Sequence, residues 1–382
     1  MTPSPDAFSS PALQRLWTVL PAARIVGGAV RDSLAGVPVA DIDLATPDLP
    51  ESVMAKLAAA GLKAVPTGLA HGTVTAVVEG QPFEITTLRQ DLETDGRHAT
   101  VEFTDDFHAD AARRDFTINA MSLDRAGQVY DWFAGRADLA SGRIRFVGEP
   151  SLRLSEDYLR LLRFFRFFAR YGRAAPDAPT VAALRAALPG LARLSPERVW
   201  SELRRILIIP DPRGALRLMD QLGVLGAVVP GPLHPGLLLT LIEDGIPANP
   251  ILRLAALSTA PTAALAGAFR LAKAEQTELD SLRGPVPQDD DAALRRVLAD
   301  LAPQAAMGRA WLARSGPALR ARIARTAVPV FPVLGRDLLA AGMPPGPELG
   351  RLLADLRQWW IAGGCLGSRA QVMAELGRRR GG

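Results

Sequence analysis

The chain has 382 residues, 48% hydrophobic and 22% charged, with a mean hydropathy of +0.11. Those values exclude wholesale disorder and suggest two or three domains with ample core. The net charge is only +4 although the sequence pI is about 9.7, and all but Lys56, Lys63 and Lys273 of the 44 basic residues are arginine. The single cysteine, Cys365, excludes an intrachain disulfide framework and a multi-cysteine zinc site. The first residues carry no basic segment leading into an apolar stretch, and no apolar run approaches the roughly 20 residues of a membrane span. A cytoplasmic protein without membrane contact is expected.

Up to residue 146, short β-type runs alternate with helical ones. Residues 23–26 read as a strand, 29–34 as a helix closed by Gly36, 39–44 as a strand, and 50–60 as a helix ending at Gly61. Residues 73–78 and 83–88 alternate as strands, joined by a longer hairpin loop over Glu79, Gly80, Gln81 and Pro82. Residues 90–110 are polar and read as a surface loop. From 150 onward the pattern is helical, over 156–171, 180–187, 196–208, 212–222 and beyond. Breaks inside it are expected at 229–236, 284–288 and 343–347. The fold class is α+β, a mixed front followed by an all-α remainder.

Charge divides at the same place. Residues 1–146 hold more acid than base, and the helical remainder is strongly basic. Residues 151–173 carry Arg153, Arg160, Arg163, Arg166, Arg170 and Arg173 against only Glu156 and Asp157.

Three elements suggest chemistry. Gly27 and Gly28 stand where a strand turns into a helix, with Arg31 three residues on; such a turn lets a phosphate approach the backbone closely. Asp41 and Asp43 flank Ile42 in a predicted strand, so both carboxylates leave one face. Two carboxylates side by side call for a cation between them, and Mg²⁺ is the natural one. Glu84 lies between the inward-facing Phe83 and Ile85, and so faces the other way. If its strand adjoins the first pair, three acids converge, as a two-metal phosphoryl-transfer site requires.

In order along the chain stand VGGAVRD from Val26, DID from Asp41, FEITTLR from Phe83, RRDFTINA from Arg113, EDYLR from Glu156 and PERVWSEL from Pro196. Together they resemble the class II tRNA nucleotidyltransferases, the family of CCA-adding enzymes and related bacterial poly(A) polymerases. The match is dense across roughly residues 24–210; beyond, Gly335–Leu339 and Gly346–Pro347 resemble tail segments of bacterial members.

The resemblance implies a catalytic head over 1–146 with a small mixed sheet and flanking helices, a base-reading helical neck over 147–222, and a tRNA-binding body and tail over 223–382. It implies attack of a tRNA 3′-hydroxyl on the α-phosphate of CTP or ATP. Asp41 and Asp43 would hold Mg²⁺, with Glu84 the third acid. Gly28 and Arg31 would contact the nucleotide's phosphates, and Arg114 would be a further nucleotide contact. Asp157 and Arg160 would read the base, with Arg163 and Arg166 following. The 90–110 segment, with Gly96, His98 and His108, would be the loop that helps the site switch from C to A.

At 100° per residue from Asp157, Arg160 falls at about 300° while Arg166, Arg163 and Arg170 span about 180–240°. Leu161, Phe164, Phe165 and Phe168 crowd the opposite side, so a mostly buried helix with an arginine stripe along a cleft is expected. Arg166 lies opposite Asp157, where phosphate, RNA or a structural carboxylate is its partner. A carboxylate accepts from the exocyclic amine of cytosine or adenine and a guanidinium donates to the adjacent ring nitrogen; uracil and guanine reverse both polarities.

Poly(A) polymerase activity shares every motif and stays open, as does a non-catalytic RNA binder on the same scaffold. His71, His98 and His108 lack zinc-ligand spacing, and the isolated His234 gives no sign of a phosphohydrolase domain. Trp359 and Trp360 are expected in helix packing ahead of RNA stacking.

Overall fold

The computed structural model describes residues 5–94 and 99–381. It divides into two compact units, one ending at Val229 and the other beginning at Pro230. That boundary falls within the break expected at 229–236, whereas the charge and pattern change near 146 lies inside the first unit.

The first unit is built on a seven-stranded mixed sheet. Its strands are β1 (Arg24–Val26), β2 (Asp43–Thr46), β3 (Lys63–Gly68), β4 (Thr73–Val78) and β5 (Gln81–Thr87). A separate two-stranded ribbon follows, β6 (Arg89–Thr94) with β7 (Ala99–Phe103). β8 (Ser122–Leu123) and β9 (Val129–Tyr130) then return to the main sheet. The strand order is β3-β4-β5-β2-β1-β8-β9, with β2 and β5 parallel and the other pairs antiparallel. Alternation sets the burial: Val74, Ala76 and Val78 of β4, with Phe83 and Ile85 of β5, all face the core.

Three sequence expectations change here. β2 starts at Asp43 and not at 39, because its ladders to β1 and β5 begin only at Leu44 and Asp43. Asp41 therefore precedes the strand, and strict alternation does not place the two carboxylates. The β4–β5 loop is tighter than expected: Glu79 and Gly80 turn with φ of 51° and 78°, a two-residue type I′ pattern, and Gln81 and Pro82 belong to β5. The predicted loop over 90–110 instead contains the β6–β7 ribbon and a short helix, Phe107–Ala112, whose Asp110 is buried. Gly96 and His98 lie outside the described residues.

Helices complete the first unit. The predicted 156–171 helix is two, Pro150–Glu156 and Leu159–Tyr171, separated by an extended Asp157 (φ −151°, ψ 107°) and Tyr158. Tyr158 packs where Gly190 has no side chain; a Cβ there would lie 2.0 Å from its ring. Leu161, Leu162, Phe164, Phe165, Phe167 and Tyr171 are buried on the second helix. Pro196–Leu207 packs beside it and is started by Ser195, whose Oγ accepts from the Arg198 N–H, with Pro196 at the first helical position. The second unit is all helical, from Pro235–Glu243 to Arg369–Gly381. One of its cores gathers Leu338, Leu356, Trp360 and Val372. Trp360 is buried there with its Nε1–H donating to the Gly367 carbonyl, and Trp359 packs against the same cluster, as expected of helix-packing tryptophans.

Candidate active site

β1 ends at Val26 and the Gly28–Leu34 helix follows at once. Gly27 makes the turn at φ +66°, and a Cβ on it would approach the Arg114 Nη1 to 3.0 Å. The glycine thus serves both a left-handed backbone and the close passage of a guanidinium. Gly27, Gly28, Arg31, Asp43 and Arg114 line one wall of a cavity of about 420 Å³; Asp157, Arg160, Arg163 and Arg198 also line it. That volume is in the range of small-molecule sites.

Asp43 and Glu84 are register partners on the neighbouring parallel strands β2 and β5, and both are exposed. Partial desolvation, then Glu84, then Asp41 push the Asp43 carboxyl above its usual range, with Arg114 opposing. Among the described residues no three acids, histidines or thiols close into a ready-made metal cage. Asp43 and Glu84 are brought together by strand register, and Asp41 is near enough to act on Asp43 electrostatically. Mutual repulsion of Asp43, Glu84 and Asp41 fits a hard divalent ion all the same, since Mg²⁺ commonly takes one or two carboxylates and completes its shell with water and substrate phosphate.

Each arginine of the cavity is held by a carboxylate. Arg31 is buried, donates through Nε to Asp32 at 2.8 Å and through Nη1 to the Asn119 Oδ1. Arg114 donates to Asp110 at 3.0 Å. Burial would raise the Asp110 pKa, but Arg114 and Arg113 together hold it below the usual range. Arg163 meets the buried Asp115, with Nε at 2.7 Å. Burial opposes ionisation of that carboxyl too, and Arg163 with the Asn119 amide overrides it, so its pKa is lowered.

The break after Glu156 shapes the remaining wall. Asp157 Oδ1 accepts from the Leu159 N–H at 3.0 Å, starting the helix, while Oδ2 accepts from Arg198 at 2.8 Å. Arg160 spends Nη1 on Glu156 and on the Arg153 carbonyl, leaving the donors of Nε and Nη2 for a ligand. Because Asp157 stands outside the Leu159–Tyr171 helix, the 60° separation computed from a continuous helix does not apply; the two residues meet because both line the cavity. Arg166 does not line it. Its Nε donates to the buried Glu202 at 2.6 Å, one of the three partners expected for it.

A second cavity adjoins the first, lined by Asp43, Glu84, His71, Thr73, Arg89 and Arg113 among others, and shares Asp43 and Arg114 with it. His108 is elsewhere, packed on Trp132 and Phe133 with ring centroids 5.9 and 5.4 Å away. Sequence reasoning gave no role to Arg198, Asp110, Asn119 or Glu156. Two of these had a signal: Asp110 precedes Arg113 and Arg114 by three and four residues, and Glu156 precedes Arg160 by four, both helical ion-pair spacings.

Exposed acids on neighbouring strands, beside an arginine-lined cavity of nucleotide size, are the features of a nucleotidyltransferase. Family models match residues 23–145 as a poly A polymerase head domain and 175–233 as a probable RNA and SrmB-binding site of polymerase A. The mitochondrial CCA tRNA nucleotidyltransferase 1 of Danio rerio is 35% identical over 356 residues, 88% of this chain and 83% of the relative. The chain belongs to the family of CCA tRNA nucleotidyltransferases and poly(A) polymerases. A CCA-adding enzyme of Geobacillus stearothermophilus is 42% identical over 211 residues, 55% of this chain and 51% of that protein. The crystal structure of the Bacillus stearothermophilus CCA-adding enzyme in complex with CTP superposes with a TM-score of 0.75 at 26% identity, covering 97% of this chain and 98% of that one.

Proposed function

We propose that the protein is a CCA-adding tRNA nucleotidyltransferase, which transfers CMP and then AMP from CTP and ATP to the tRNA 3′ end with release of pyrophosphate. The observation that carries this reading is that Asp157 and Arg160 line the same cavity as Gly28, Arg31 and Asp43. A base reader and a phosphate cradle thus share one nucleotide-sized space.

In this reading the triphosphate lies against Gly27 and Gly28, with Arg31, Arg114 and Arg163 on its charge. Asp157 accepts from the exocyclic amine of cytosine or adenine, and Arg160 donates to the neighbouring ring nitrogen. Uracil and guanine would leave both groups unpaired, which rejects them strongly. The primer hydroxyl enters from the side of Glu84, so that Asp43, common to both cavities, lies beside both the attacking oxygen and the α-phosphate. Mg²⁺ held by Asp41 and Asp43 would supply the positive charge that favours the attacking alkoxide and steadies the leaving pyrophosphate oxygen. Glu84 is the acid that keeps this site electronegative enough to bind the ion. Arg166 acts through Glu202 and not on this base.

The head over 1–146 would carry the chemistry, the 147–222 helices would read the base, and the basic 223–382 helices would grip tRNA phosphates. We place the activity in the cytoplasm; the single, buried Cys365 suits a reducing compartment, and no described helix is long and apolar enough to cross a membrane. The test is incorporation into a tRNA lacking CCA, with CTP alone, ATP alone and both. Two C additions followed by one A are expected. ATP-only extension into a long tail would make the protein a poly(A) polymerase, and no incorporation at all would leave an RNA binder.

A further inference from the structure

Beside the arginine stripe of the Leu159–Tyr171 helix lies another cavity, of about 500 Å³, which the reaction above does not use. It shares only Arg31 and Phe167 with the nucleotide cavity. Three further guanidiniums border it, those of Arg166, Arg170 and Arg205.

Two carboxylates serve these four cations. Asp32 lies 2.8 Å from Arg31 and 3.8 Å from Arg170; Glu202 lies 2.6 Å from Arg166 and 3.4 Å from Arg205. Four guanidiniums against two carboxylates leave an excess of two positive charges. That excess is reachable, since the side chains of Arg170 and Arg205 are 47% and 55% exposed.

The rest of the lining is flat and apolar. The buried rings of Phe167 and Tyr171 back the arginines, with Arg166 4.3 Å and Arg31 4.8 Å from the respective ring centroids. Ile208 at the mouth is 46% exposed. Surplus guanidinium beside aliphatic surface suits a nucleoside phosphate, with the phosphate on the arginines and the base against guanidinium and Ile208. Among the described residues no acid lines this cavity; Asp32 and Glu202 pair with its arginines from behind. Contact of a base's face with guanidinium and aliphatic surface does not depend on which base it is.

We propose that this cavity is a second nucleotide site, indifferent to the base, whose occupant is a nucleoside phosphate supplied either by a nucleotide of the tRNA primer or by free nucleotide. The tRNA source rests on the CCA-adding reading; the free-nucleotide source does not.

The test uses the full chain carrying Arg170→Gln with Arg205→Gln, and Arg170→Lys with Arg205→Lys as the charge-keeping control. In the first arm UTP, which the base-reading site should refuse, is titrated without tRNA. A free-nucleotide site gives saturable UTP binding that the glutamine pair weakens about tenfold and the lysine pair largely retains. In the second arm tRNA affinity is measured against salt. A primer site lowers the slope of log affinity against log salt by about 1.4 in the glutamine pair, at roughly 0.7 per lost single-strand contact, and the lysine pair restores it. CMP transfer at saturating CTP and tRNA stays unchanged. Should the glutamine pair fail to fold, Arg205→Gln alone carries half the slope change. If neither UTP binding nor the salt slope moves, the proposal is overturned. Failure of the CCA-adding reading shows separately, as absence of C incorporation by the unaltered chain.

Discussion

The acidic strand pair and the arginine-bearing helices solve opposite electrostatic problems. On the strands, Asp43 stands beside Glu84 in register, with Asp41 near, and partial burial together with the like charges raises its pKa. Along the helices, Arg163 has Asp115, Arg160 has Glu156 and Arg166 has Glu202. One region keeps an unmet demand for positive charge. The other has each of these three arginines paired with a carboxylate and its geometry set before any ligand arrives. The difference separates what binding must supply, a cation with phosphate, from what folding supplies, the positions of the donors.

Breaking the acidic side should have the largest effect. Asp43→Ala is expected to lower kcat by about 10³-fold or more, at several kcal/mol of lost transition-state stabilisation, while tRNA binding stays near that of the unaltered chain. Single-turnover C incorporation and a filter-binding assay check the two halves; retention of more than a tenth of the rate would remove Asp43 from the chemistry. The sign of the pH dependence follows from the raised pKa. Asp43 must be ionised to act, and it takes up its proton at a higher pH than an ordinary carboxyl. In the metal-free chain the Asp43 carboxyl should therefore titrate above the usual aspartate range, read by NMR, and Glu84→Gln should move that titration to lower pH.

On the paired side the effect is on selectivity. Asp157→Ala should cut discrimination of CTP against UTP by on the order of 10²-fold or more, since a hydrogen-bonding site owes its rejection to groups left unpaired. Arg198→Ala should cost less, about tenfold, because Arg198 positions Asp157 and does not itself distinguish the bases. Competition between labelled CTP and UTP measures both. Equal loss of kcat/KM for the two nucleotides in Asp157→Ala would show that the residue only holds the helix start.

Much of this was legible in the chain because local rules and ordered motifs coincided. The α+β division, the Gly27–Gly28 turn, the outward Glu84 and the buried aromatic side of the 159–171 helix all follow from periodicity and turn chemistry. What was hidden depended on partners distant in sequence. Alternation put Asp41 and Asp43 in one strand, but ladder pairing begins only at Asp43. A continuous helical pattern ran through Asp157, yet its carboxylate is drawn to the Leu159 N–H and to Arg198, 41 residues away. Polarity suggested a loop at 90–110, whereas Arg113 and Arg114 offset the burial of Asp110 and permit a helix there. Propensity reports none of these compensations.

The smallest expected effect probes where the two regions join. The Tyr171 hydroxyl donates to Asp32, the carboxylate that also holds Arg31, and the ring lies under the Arg31 guanidinium. Burial first, and Asp32 as acceptor and like charge, push the phenol pKa up to about 12 against the opposing Arg31. Because the folded pKa is the higher one, this contribution is complete at neutral pH. It is lost as pH rises from the ordinary tyrosine value toward 12, where the unfolded chain ionises and the folded one resists. Tyr171→Phe should therefore cost about 1–2 kcal/mol near neutrality and flatten the alkaline fall in stability, both read from denaturant unfolding at about pH 7 and about pH 11. Asp32 keeps its bond to Arg31 in that variant, so the KM for CTP should rise only a few-fold with kcat unchanged. A drop in kcat as large as that of Asp43→Ala would mean that the pairing does more than set positions, and the contrast between the two regions would fail.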